Sequence, residues 1–161
     1  MAKRSDNEES DGKKLVVKNR KARHDYEIID TVESGIVLTG TEVKSLRAGR
    51  ANLKDSYASV DRGEVYLHRV HISAYEAGTH YNHFPERSRK LLLNRREIRR
   101  WVGRSQQGGL TMVPLSIYFI RGLAKVELAL AKGKKEYDKR HAIAKRQANR
   151  DVERALKERS Q

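Results

Sequence analysis

The sequence predicts a mainly β protein: a small, closed or nearly closed barrel with two or three short helices and a disordered basic tail. Short stretches of alternating apolar residues recur through the centre of the chain, glycine-bearing turns separate them, and charge collects at the two ends. The 161 residues suffice for one hydrophobic core. The charge pattern divides the chain further. Its formal net charge is +14, of which residues 1–24 carry +4, residues 132–161 carry +6 and the long middle only +4. A weakly charged centre can fold, whereas highly charged ends lack the apolar surface to offset ordering entropy.

From Met1 to Val17 the chain is polar and aperiodic and reads as a disordered arm, residues 1–17. A barrel domain over 18–131 follows, with a basic tail over 132–161. Tyr26 to Val32 is rich in β-formers, Glu33-Ser34-Gly35 reads as a turn, and Ile36 to Thr39 as a second strand. Glu42 to Arg47 is a short helix that Gly49 ends, with Val43 and Leu46 facing the core. Ser56–Val60 and Glu64–Ile72 pair as a hairpin across Asp61-Arg62-Gly63. Glu76 to Arg89 is a long loop. Asn94 with Glu97 forms a capping box for a helix running to about Gln106, with Ile98, Trp101 and Val102 on one face. Two final strands place Val113, Leu115, Ile117 and Phe119, then Ala124, Val126, Leu128 and Leu130, inward. Lys125, Glu127 and Ala129 face outward, and Pro114 marks an edge or bulge. The order β-β-α-β-β-α-β-β suits an OB-like barrel. In the tail, Ala144, Ala148, Val152, Ala155 and Leu156 make a helical stripe too thin to dock, so the tail is expected to fold only on a partner.

Such a charge excess points to a polyanionic partner. No apolar run approaches the ~20 residues of a spanning helix, and no signal peptide is evident after Met1, so no membrane role is expected and a cytoplasmic protein is. The chain has no cysteine, which rules out thiolate zinc and disulfides. His68 and His71 lie on opposite strand faces, and His80 and His83 lack a suitably spaced carboxylate, so no metal site is expected. Lys132-Gly133-Lys134 is not a phosphate loop, because Leu128 stands where glycine is needed. No cofactor and no catalytic arrangement are expected.

Two basic clusters favour phosphate contact. Arg87, Arg89, Lys90, Arg95, Arg96, Arg99, Arg100 and Arg104 surround the second helix with Glu97 as the one nearby acid. Around Arg23, the rings of His24 and Tyr26 could stack on an unpaired base.

Four blocks resemble one family. Asn19-Arg20-Lys21-Ala22-Arg23-His24-Asp25-Tyr26, Glu42-Val43-Lys44-Ser45-Leu46-Arg47-Ala48-Gly49, Arg89-Lys90-Leu91-Leu92-Leu93-Asn94, and Ala131-Lys132-Gly133-Lys134-Lys135 with Asp138-Lys139-Arg140 are similar to SmpB, the SsrA-binding proteins. The resemblance implies an OB-fold adaptor, monomeric in its complex, that binds the tRNA-like domain of tmRNA in bacterial trans-translation. It stands in for the missing anticodon arm and brings tmRNA to stalled ribosomes for nascent-chain tagging and rescue. It also implies RNA-binding roles for Glu33, Leu92, Asn94 and Lys125, beside Arg23, His24, Tyr26, Lys132 and Lys134. The tail, with Lys135, Asp138, Lys139, Arg140, Ile143, Lys145, Arg146 and Arg150, is implied to engage the decoding site, ribosomal RNA and mRNA channel as a helix. Ala148 stands where relatives carry a large aromatic. Asn94 could equally be only a helix cap, and Lys125 is outward by strand alternation alone.

Overall fold

The computed structural model describes residues 12–77, 82–106, 108–134 and 136–159. Its elements run β1 Lys13–Lys18, α1 Arg20–Asp25, β2 Tyr26–Ile36, α2 Gly40–Arg47, β3 Ala51–Asn52, β4 Tyr57–Asp61, β5 Glu64–His68, β6 His71–Ile72, β7 Arg89–Leu92, α3 Arg95–Ser105, β8 Leu110–Ile120, β9 Leu123–Gly133 and α4 Glu136–Arg159. The main sheet has the order β1-β8-β4-β5-β7-β2-β9, and β8 also pairs with β9, so six strands bend into a ring. One side of that ring is thin, because β4 meets β8 only at Ala58 and Met112. Leu67, Leu91, Ile117, Val126, Leu128 and Leu130 fill the centre, and Trp101 of α3 plugs into the same core.

Local chemistry accounts for most elements. Arg62 and Gly63, both at positive φ, close the β4–β5 hairpin in two residues. Thr39 and Glu42 cap α2 reciprocally, and Asn94 and Glu97 do the same for α3. Pro114 sits at a register shift in β8.

The structure departs from the sequence reading in several places, among them the expected second strand, which ends at Ile36, and Glu64–Ile72, which divides into β5 and β6. The expected arm is partly a strand: β1 pairs antiparallel with β8, its Val16 and Val17 packing on the core. Residues 1–11 lie outside the described residues. Glu33-Ser34-Gly35 is not a turn but part of one eleven-residue strand, β2. Ser34 is buried, donates to the Val126 carbonyl, and so substitutes for an apolar residue. In β8 the inward alternation fails at the Pro114–Ser116 shift. Ile117 and Phe119 enter the main core, whereas Val113 and Leu115 join Ala22, Ala129 and Ala131 in a second core under α1. A bulge supplies one extra residue and so exchanges the faces. Lastly, the tail is one 24-residue helix rather than disordered chain. Alanine, arginine, lysine and glutamine are strong helix formers, and Gln147 bonds Asp151 one turn on. Ile143, Val152 and Leu156 nevertheless remain exposed, so the stripe does not dock on the barrel.

Candidate nucleic-acid interface

Backbone register alone assembles the site. Gly35 of β2 lies opposite both Leu92 of β7 and Lys125 of β9. Glu33, two residues earlier, shares the outward face of β2, and Asn94 follows where β7 passes into α3. Glu33, Leu92, Asn94 and Lys125 therefore line a single groove of about 440 Å³, with Lys90, Glu64 and Arg95 at its sides. Gly35 forms the floor. A Cβ there would lie 3.2 Å from the Leu92 Cβ, closer than ordinary packing, so glycine gives that leucine room to lie across the strand. Leu92 stays 54% exposed, an apolar surface inside a polar groove.

Charge in the groove is mixed. Glu33 accepts a 2.5 Å hydrogen bond from the Tyr118 hydroxyl. Burial, together with the Glu33 carboxylate, pushes the Tyr118 phenol above its usual value, so it remains a donor. Lys13 lies over the Tyr118 ring at 3.9 Å. Lys125 has no carboxylate partner among the described residues. The arrangement offers an orienting carboxylate, a leucine surface, a free ammonium and an amide-bearing cap.

The cluster around α3 divides into two groups. Arg89 is fully buried: its Nε donates to Glu42, and its terminal nitrogens donate to the carbonyls of Val70 at 2.8 Å and Pro85 at 3.0 Å. Arg87 donates to the other Glu42 oxygen at 2.5 Å. Burial raises the Glu42 carboxyl, but the Thr39 amide, Arg87 and Arg89 outweigh it and hold the group below the usual glutamate range. Arg100 and Arg104 both donate to Asp30, which also accepts from Trp101 Nε1 at 3.2 Å. Lys90 pairs with Glu64 at 3.6 Å. The reading of all eight cations as a phosphate face is thus corrected, because anions from distant segments take five of them. Arg95, Arg96 and Arg99 remain, exposed and without anionic partners among the described residues.

The basic segment near Arg23 is α1, capped by Asn19, whose side chain accepts from the Ala22 amide and donates to the Pro114 carbonyl. Arg23 reaches Glu127 at 4.0 Å and His24 pairs with Asp25 at 3.0 Å. Tyr26 packs one side of its ring against the second core and stays half-buried. Lys132 is exposed at the end of β9, and the Lys134 amide donates to the Asp25 carbonyl, tying the start of the tail to α1. Arg140, Ile143, Lys145, Arg146 and Arg150 are exposed on α4. Lys135 and the side chains of Asp138 and Lys139 lie outside the described residues.

His83 is a structural residue. It donates from Nε2 to the Ile72 carbonyl and accepts at Nδ1 from the Thr41 hydroxyl, each at 2.8 Å; His80 lies outside the described residues. No helix among the described residues is long and apolar enough to cross a membrane. Sequence reasoning missed Gly35, Tyr118, Asp30 and Glu42. A glycine amid β-formers is the one available signal, and in sequence it reads as a turn.

The fold and groove define a small OB-like barrel protein with a mixed-charge groove and a basic helical extension. The chain belongs to the SmpB family, whose profile, described as SmpB protein, matches residues 16–158. An SsrA-binding protein of Thermobifida fusca is 57% identical over 159 residues, 99% of each chain. One from Saccharopolyspora erythraea is 61% identical over 145 residues, 90% of this chain and 92% of the other. A chain from a solved structure concerning tmRNA-SmpB and the center of the bacterial ribosome aligns with a TM-score of 0.64 at 55% identity. That alignment covers 74% of this chain and 85% of the other.

Proposed function

We propose that this protein is the tmRNA-binding adaptor of trans-translation, with the tRNA-like domain of tmRNA seated in the groove and the ribosome as second partner. The observation that carries the reading is the convergence of Glu33, Leu92, Asn94 and Lys125, spread over 92 positions, on one groove. Lys125 and Arg95 contact phosphates, Leu92 packs on an unstacked RNA surface, and Glu33, steadied by Tyr118, accepts from a base or ribose donor. Asn94 caps α3 and thereby orients Arg95, Arg96 and Arg99 beside the groove. Arg23, His24, Lys132 and Lys134 supply a basic margin at the far end of β9.

The barrel stands in for the missing anticodon arm when tmRNA enters a stalled ribosome. Helix α4, carrying Lys145, Arg146 and Arg150 beside the segment from Lys135 to Arg140, then occupies the empty mRNA channel as a polycation facing ribosomal RNA. The adaptor works in the cytoplasm as one copy per complex, transfers charge and shape rather than chemical groups, and is not an enzyme. Its family consists of RNA-binding adaptors.

A chain ending at Lys134 keeps β9 complete and tests the division of labour. It should bind the tRNA-like domain as the full chain does, yet fail to support tagging on stalled ribosomes. Loss of RNA binding together with tagging would place the tail inside the tmRNA site. Equal affinity for ribosomal RNA and the tRNA-like domain at physiological salt would remove the adaptor reading.

A further inference from the structure

The outward face of β4, β5 and β7 continues the groove. Glu64 and Leu92, at the groove, are followed on the same face by Tyr66 and Lys90, which are register partners, and then by His68 and Ser88. Opposite His68 stands Tyr57. From Glu64 to His68 the strand rises about 13 Å, the span of roughly two extended nucleotides.

At the end of this row lies a built surface. The rings of Tyr57 and His68 are 5.1 Å apart and inclined by 36°. His68 is locked in place by hydroxyls on both nitrogens, Ser59 at 2.7 Å and Ser88 at 2.8 Å. Arg69 holds its guanidinium 5.9 Å from the Tyr57 ring. It does so from a backbone at φ +60°, where asparagine or glycine would sit with less strain. Tyr57 is 39% exposed, and no carboxylate pairs with Arg69 among the described residues. A cross-strand aromatic pair also steadies a hairpin. That role, however, needs neither an exposed ring, nor a histidine fixed on both sides, nor an arginine in the left-handed region.

We propose that Tyr57, His68 and Arg69 form a stacking shelf for an unpaired base of the tRNA-like domain whose neighbouring nucleotides occupy the groove. The inference rests on the groove reading. An aromatic face beside a guanidinium binds any base through its π-surface and the adjoining phosphate through charge. Continuity of the outward face through Tyr66, with Lys90 half-exposed beside Glu64, favours the same RNA over a second partner.

The test uses full-length protein and a transcript of the tRNA-like domain, titrated at several salt concentrations. Tyr57→Ala should weaken binding about 5- to 100-fold at an unchanged melting temperature. The dependence of affinity on salt should keep its slope, because stacking releases no counterions. Tyr57→Phe should bind as the wild type does. Lys125→Ala, by contrast, should weaken binding and flatten the slope. If Lys125→Ala weakens binding but Tyr57→Ala does not, the shelf is wrong and the groove stands. If neither matters, the groove reading itself fails. If Tyr57→Ala leaves RNA binding intact but impairs association with ribosomes, the shelf faces a different partner and the proposal is overturned. Should Tyr57→Ala lower the melting temperature, His68→Ala with Ser59 and Ser88 retained repeats the test from the other ring.

Discussion

The arginines of the barrel and those of the tail helix look alike in sequence and behave oppositely in the fold. Around the barrel, Glu42 and Asp30 each gather two arginines, and one of these, Arg89, is completely buried. Along α4, Lys145, Arg146 and Arg150 stand exposed, and no described side chain of that helix enters the core. The first group holds elements together; the second is left available to an external polyanion. A count of basic residues treats both groups as one, so it overstates the RNA-facing surface wherever a carboxylate from another segment reaches in.

This contrast breaks most visibly at Arg89. Arg89→Met leaves the buried Glu42 with Arg87 as its one cationic partner and opens a polar hole at the Val70 carbonyl, and should cost about 3–5 kcal/mol by urea denaturation. The double change Glu42→Leu with Arg89→Met should cost less than the single one, since the stranded charge is gone. A single variant as stable as the wild type would show that the pair is not structural.

The same pair gives a pH signature. The folded pKa of Glu42 is depressed, so its contribution is present above the ordinary glutamate value of about 4.3 and is lost as pH falls through the folded value. Arg89 is itself lowered by burial, but a guanidinium stays charged at these pH values. Denaturation midpoints measured from pH 7 to pH 3 should fall more steeply for the wild type than for the double variant.

Asp30 should show a smaller effect. Asp30→Ala removes the acceptor shared by Arg100, Arg104 and Trp101 Nε1 and should cost about 1.5–3 kcal/mol, with Trp101 fluorescence shifting as α3 loosens. Arg96→Ala, on the free face of α3, should leave stability within about 0.5 kcal/mol. It should, however, reduce the salt dependence of tRNA-like-domain binding by about one unit of slope. The smallest stability effect belongs to the tail, where Arg150→Ala should leave the unfolding curve of the barrel unchanged.

Local signals were legible in the sequence. The Asn94 and Glu97 cap, the Arg62-Gly63 hairpin, the end of α2 at Gly49 and the outward placement of Lys125 all depend on residues within a few positions of one another. What escaped depends on distance along the chain. Glu42 meets Arg89 from 47 positions away, and Asp30 meets Arg104 from 74, so no local pattern announces either. The strand through Ser34 and Gly35 reads as a turn because a serine–glycine pair ordinarily marks one. Here the serine satisfies a carbonyl and the glycine admits Leu92. The groove residues were nominated by family resemblance; their convergence required the register of β2 with both β7 and β9.

The shift at Pro114–Ser116 has a consequence for how the molecule opens. Because one strand feeds both cores, Val113 and Leu115 hold α1 while Ile117 and Phe119 hold the barrel. The α1 cluster is small and built largely from alanine, so it can detach as a unit of its own while β8 stays paired with β9. Amide hydrogens of α1 should then exchange with solvent well before those of Val126 to Leu130. The start of the tail, bonded through Lys134 to Asp25, would be released in the same event.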